Sequence, residues 1–215
     1  MRSRINLTLV IQILYVIFFI SLVFSFRAVN TITIILLITA GLAGNRADLK
    51  QLLPRLNHPF IYGCLLLFFF HLLALAVTDN KVDGWADIRV KTGLVFIPFA
   101  VCCTGFVAAS VRSRLCLYFI IITTVASVYC LGVAVSIYLQ AHDAAVFFYH
   151  TLVKPINGHA VYFAVLVFIS LLFLIEPGDG WVQKHVVLRG LLIIFLTIFI
   201  FLLSSKLVIR LFVSA

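Results

Sequence analysis

FFYHTLVKPINGHAVYFA, residues 147–164, sets two histidines, a lysine, a proline and a glycine between two long apolar runs, residues 115–139 and 160–175. About 20 apolar residues at 1.5 Å each cross a hydrocarbon core of about 30 Å, so runs of this kind are read as membrane-spanning helices. His150, Lys154, Asn157 and His159 then fall at a membrane boundary, where ionisable groups can meet a charged ligand without entering hydrocarbon. Pro155 and Gly158 argue for a turn or a re-entrant kink between the histidines instead of continuous helix.

The rest of the chain follows the same plan. Of its 215 residues 64% are hydrophobic and 11% charged, and the mean hydropathy is +1.23. Soluble domains are roughly 45–50% apolar and about 25% charged, so this composition is that of an integral membrane protein. The alternating pattern of a membrane β-barrel is absent, and the class is all-α. The net charge of +9, from 16 Lys and Arg against 7 acids, is first a topological signal in such a protein. It gives no reason to expect nucleic acid as a partner. Cys64, Cys102, Cys103, Cys116 and Cys130 all lie in apolar runs, without a C-x-x-C pair or a histidine at ligand spacing. They read as packing residues, and no metal site is expected.

Spans are expected at residues 5–26, from about 32 to Gly44, and at 60–77, 92–110, 115–139, 160–175 and 190–203, with Arg27–Thr31 as the first break. The intervening segments are NRADLKQLLPRLNHP (45–59), TDNKVDGWADIRVK (78–91), a short turn at Arg112 and Arg114, and EPGDGWVQKHVVLR (176–189). No linker divides them, so the expectation is one polytopic helical bundle of about seven spans. LVIRLFVSA, 207–215, opens an eighth apolar run too short to cross, which leads to the expectation that the chain is the N-terminal part of a longer protein.

Cytoplasmic loops collect Lys and Arg. With the N-terminus inside, Arg2, Arg4, Arg46, Lys50, Arg55, Arg112, Arg114, Lys184 and Arg189 are inside, against Arg27, Lys81, Arg89, Lys91, Lys154 and Lys206 outside. Nine against six favours a cytoplasmic N-terminus. The outer side then gathers Lys81, Asp83, Asp87, Arg89 and Lys91 from one segment, and His142, Asp143, His150, Lys154, Asn157 and His159 from another. Lys206 joins them from the end of the seventh span. Such a cationic mouth suits a lipid phosphate or diphosphate, although each lysine also fits an ordinary interfacial anchor. Arg89, Lys91 and Lys206, at helix ends on one side, are the arrangement a membrane-embedded diphosphate needs.

His150 and His159 fit general acid or base work beside a phosphate leaving group, or a structural role. His71, alone in an apolar span, reads as a hydrogen-bonded packing residue, and no role falls to His58 or His185. No G-x-S-x-G, P-loop, H-E-x-x-H or dinucleotide fingerprint is present.

Three stretches carry a resemblance. DIRVKTGLVFIPFA (87–100) has a lysine opening an apolar helix with an internal proline; FYHTLVKPINGHAVYFAVLVFISLLFLI (148–175) has His, then Pro, then His-x-x-Tyr-Phe; LLSSKLVIRLFVSA (202–215) has a Ser-Lys element opening a helix. Together they resemble the O-antigen ligase and O-antigen polymerase group of multi-span membrane glycosyltransferases. The resemblance implies transfer of a glycan from an undecaprenyl diphosphate carrier to an acceptor sugar, such as the lipid A core, at the outer face of the bacterial inner membrane. It implies no cofactor. It carries over Lys91, His150, His159 and Lys206 as groups near the donor diphosphate; with Arg89 and Lys154 added from the outward segments, the expected site has His150 and His159 as catalytic groups and Arg89, Lys91, Lys154 and Lys206 as diphosphate contacts. Lys206 stands where the group has arginine, and the large outward loop of the group lies beyond this sequence. The alternative is a non-enzymatic membrane protein, a small transporter or a lipid-binding accessory subunit.

Overall fold

Long runs of Leu, Ile, Phe and Val satisfy their backbone hydrogen bonds internally only as helices when no water is at hand. The computed structural model, which describes residues 2–43, 52, 54–103, 109–176 and 185–203, is accordingly helical throughout its regular elements. These are α1 (Arg2–Phe24), α2 (Phe26–Ala43), α3 (Pro59–Val77), α4 (Lys81–Lys91), α5 (Gly93–Cys103), α6 (Ala109–Ala141), α7 (Tyr149–Val153), α8 (Ala160–Ile175) and α9 (Val186–Leu203). Single 3₁₀ turns occupy Ala144–Phe147 and Lys154–Ile156.

Among the described residues three helices are long and apolar enough to cross a membrane: Pro59–Val77, Val111–Ala141 and Val186–Leu203. A fourth crossing results if Tyr149–Ile156 and Ala160–Ile175, bent by 81° at their junction, count as one span. The chain is thus a helical membrane protein. Leu9–Phe24 and Ala28–Thr39 are shorter apolar helices, and α5 covers only part of the fourth expected span. The expected turn at 177–184, the end of the seventh-span region at 204–206 and the eighth run lie outside the described residues.

By contact the chain divides into two compact units, Met1–Phe18 with Phe26–Ala108, and Phe19–Ser25 with Ala109–Ala215. In the first, α2 lies along α5, and α3 packs on α4 and α5. His58 caps α3 by accepting the Phe60 N–H on its Nδ1 at 3.3 Å, with Pro59 in the first helical position. Residues 81–91, expected as part of a separating segment, are helix. Asn80 accepts the Asp83 N–H on its side chain, Asp83 sits in the first turn, and Arg89 and Lys91 sit in the last, which complements the helix dipole. Lys81 Nζ donates to the carbonyls of Leu75 and Ala76 at 2.8 and 2.9 Å, closing the C-terminus of α3. Its ammonium is therefore engaged by the end of α3. Arg27–Thr31 also lie inside a helix, the break falling at Ser25.

In the second unit α6 has 33 residues, about 50 Å at 1.5 Å per residue, well beyond the hydrocarbon thickness. Arg112 and Arg114 lie within it, so no turn separates them from the span. Ala126, Cys130 and Ala134 form a buried stripe of small residues on α6, the kind that lets helices approach closely. Phe163, Val167 and Leu174 of α8 and Leu196, Phe199 and Leu203 of α9 complete this core, with the Phe163 and Phe199 rings edge to face at 5.8 Å. Buried Thr123, Ser127 and Ser170 donate to carbonyls four residues back, so their hydroxyls are satisfied within their own helices. Arg189 of α9 donates Nε to Leu174 O at 2.6 Å and Nη2 to Ile175 O at 2.8 Å, capping the end of α8.

Candidate functional site

The polar connection from α6 to α8 is assembled by local hydrogen bonds. Asp143 accepts the Ala145 N–H on Oδ1 at 2.9 Å and starts the 3₁₀ turn. Thr151 Oγ1 donates back to Ala145 O at 2.8 Å, tying α7 to that turn. Pro155 ends α7, as a residue without an N–H does, and the chain tightens into the second 3₁₀ turn. Asn157 then takes a left-handed conformation, φ 49°, and its N–H reaches Lys154 O at 3.0 Å. The left-handed residue is Asn157 and not Gly158. After the 81° bend, α8 begins.

Part of this connection is anchored in the core and part of it is exposed. Leu152 and Val153 are fully buried, and Ile156 is 3% exposed, all in the core of the second unit. His150, Lys154, Asn157 and His159 are exposed on the other side. The bend closes the interval between the two histidines, whose ring centroids are 4.5 Å apart at 83°. Tyr149 extends the row with its ring 4.0 Å from His150, and Tyr162 with its ring 5.2 Å from His159. Each imidazole has one nitrogen to donate and one to accept.

The connection also holds backbone strain. The non-glycine residues with positive φ among the described residues are His142, Tyr149 and Asn157, at 52°, 55° and 49°. Asparagine visits this region readily, whereas a bulky tyrosine there is an outlier. Such residues cost of order 1–3 kcal/mol each and persist where surrounding contacts over-determine them. Tyr149, partly buried, packs against the core cluster that contains Leu152, Val153 and Ile156.

Of the other expected ligands, Arg89 and Lys91 belong to the first unit, and Lys206 lies outside the described residues. Arg89 and Lys91 are two apart on α4 and so point to different sides of it. Arg89 is exposed, and its carbonyl accepts from Asn30 Nδ2 of α2 at 3.1 Å. Lys91 is engaged: its ammonium is ion-paired with Asp87 and lies 3.2 Å from His71 Nδ1. His71 is therefore hydrogen-bonded, as expected, but to a cation. Sequence reasoning missed that partnership, although a histidine inside a membrane-length apolar run was itself a signal. It also named neither Tyr149 nor Tyr162 as a site residue, although the His-x-x-Tyr-Phe pattern it noted places Tyr162 on the same side of the helix start as His159. Among the described residues no group of three or more His, Cys, Asp or Glu could hold a metal ion. Comparison with protein-family models, with curated proteins and with solved structures found no match to this chain.

Proposed function

We propose that the chain is a glycosyltransferase of the O-antigen ligase or polymerase kind, transferring a glycan from an undecaprenyl diphosphate carrier to an acceptor sugar at the outer face of a bacterial inner membrane. The observation that carries this reading is the exposed His150–His159 pair, held at 4.5 Å on a strained bend between membrane helices, with exposed Lys154 in the same turn. One imidazole takes the proton of the acceptor hydroxyl as its oxygen bonds to the anomeric carbon. The carbon–oxygen bond to the diphosphate breaks, and the lipid diphosphate leaves with the electron pair. Lys154 stabilises the charge that grows on that leaving oxygen. Arg89, Lys91 and Lys206 are further diphosphate contacts in this proposal, and seven spans with a cytoplasmic N-terminus put the bend outside.

The test uses the full chain in proteoliposomes with an undecaprenyl diphosphate-linked glycan and a lipid A core acceptor. His150→Ala and His159→Ala each lower turnover about 10²-fold or more, the contribution typical of a positioned acid or base, with retention of undecaprenyl diphosphate unchanged. Wild-type turnover in both variants overturns the proposal. One observation favours the second reading, a non-enzymatic lipid-binding membrane protein: a cleft of about 770 Å³ in the first unit, lined mainly by apolar side chains including Leu56, Ile61, Leu65, Leu94 and Phe99. That reading predicts retention of lipid with no transfer by the wild type.

A further inference from the structure

Helix α3 crosses the membrane with His71 well inside its apolar run. A polar side chain at that depth needs a partner from the protein, because hydrocarbon offers none. The partner is Lys91 of α4, whose Nζ lies 3.2 Å from His71 Nδ1. The same ammonium is ion-paired with Asp87, one turn earlier on α4, and the Lys91 side chain is 28% exposed. An ammonium facing a carboxylate is charged and has only protons to give, so His71 Nδ1 must present its lone pair. His71 is then neutral, with its proton on Nε2.

We infer that His71 is a positioning residue for Lys91: its imidazole and the Asp87 carboxylate together hold the Lys91 ammonium against the membrane span.

The other charged and titratable groups near this contact are engaged or remote. Lys81 is bonded to the carbonyls of Leu75 and Ala76, and Asp83 to Asn80. Arg89 points to a different side of α4 from Lys91. On α5, the other helix packed on α3, the titratable groups are Cys102 and Cys103; on α3 itself, Tyr62 and Cys64 lie about two turns or more before His71. Asp87 and Lys91 are therefore the groups that govern His71.

That Lys91 meets a lipid diphosphate rests on the proposed function; the contact with His71 does not. The experiment is magic-angle-spinning NMR on the full chain, ¹⁵N-labelled at histidine and lysine, in liposomes. At neutral pH the His71 ring shows the Nε2–H tautomer with an Nδ1–Lys91 Nζ correlation. In parallel, amine labelling of Lys91, taken relative to Lys154, rises about threefold or more in His71→Phe, the factor a net hydrogen bond of this kind is worth, and stays at the wild-type ratio in His71→Gln, which keeps an acceptor. An Nδ1–H tautomer, or a labelling ratio that His71→Phe does not move, overturns the inference. A failure of the glycosyltransferase reading would leave these spectra unchanged, so the two failures are distinguishable.

Discussion

Replacing Arg189 by leucine isolates how the α8–α9 hairpin is closed. A helix leaves its last carbonyls without intrahelical partners, and here the guanidinium takes those of Leu174 and Ile175 at 2.6 and 2.8 Å. A net hydrogen bond to a charged group is worth about 1.5–3 kcal/mol, which bounds the pair at about 6 kcal/mol. The bond to Ile175 is exposed, and water replaces it at little cost once the guanidinium is gone. That leaves about 2–3 kcal/mol for Arg189→Leu, including a few tenths from losing a cation at the negative end of the helix dipole. Arg189→Lys keeps a point charge that reaches one carbonyl and loses about half as much. Reversible unfolding of the full chain in mixed SDS and detergent micelles reads both. If Arg189→Leu unfolds within about 0.5 kcal/mol of wild type, or Arg189→Lys equals Arg189→Leu, the capping argument is wrong.

Three further outcomes follow from the bend and its surroundings. Asn157→Val costs about 1–2 kcal/mol by the same unfolding assay because it forces a β-branched residue to a φ of 49°, whereas Asn157→Gly stays within about 1 kcal/mol; equal losses would contradict the left-handed turn. Leu152→Ala removes a fully buried anchor and costs about 2–5 kcal/mol, and its loss loosens the His150–His159 contact, read as disappearance of a ring-to-ring NMR correlation. Cysteines placed at Arg112, near the start of the long α6, and at Lys154, in the connection that follows it, react with a membrane-impermeant maleimide from opposite faces of sealed vesicles. Labelling from one face refutes α6 as a crossing helix.

Hydropathy made the membrane helices legible, because a backbone in hydrocarbon has few other solutions. It misled where charge was taken as a break. Lys81, Asp83, Asp87, Arg89 and Lys91 read as loop residues, yet Asn80 followed by Asp83 at a start and two cations at an end are helix signals. Arg112 and Arg114 lie in a stretch without Pro or Gly, so nothing ended the helix there. The kink between His150 and His159 was legible from Pro155 and Gly158, since its cause is local. What the sequence hid was contact between distant residues: Lys91 with His71, Asn30 with Arg89, and Arg189 with the end of α8. Those pairings depend on helix packing, which spacing along the chain does not encode.

The central claim is that His150 and His159 act as one catalytic pair. The most direct measurement is the turnover of glycan transfer by wild type, His150→Ala, His159→Ala and the double variant in the same proteoliposomes. Residues that act as a unit give non-additive losses. The account predicts that each single variant falls about 10²-fold or more and that the double variant is within about tenfold of the worse single. Losses that multiply in the double variant, or single variants that turn over like wild type, would contradict it.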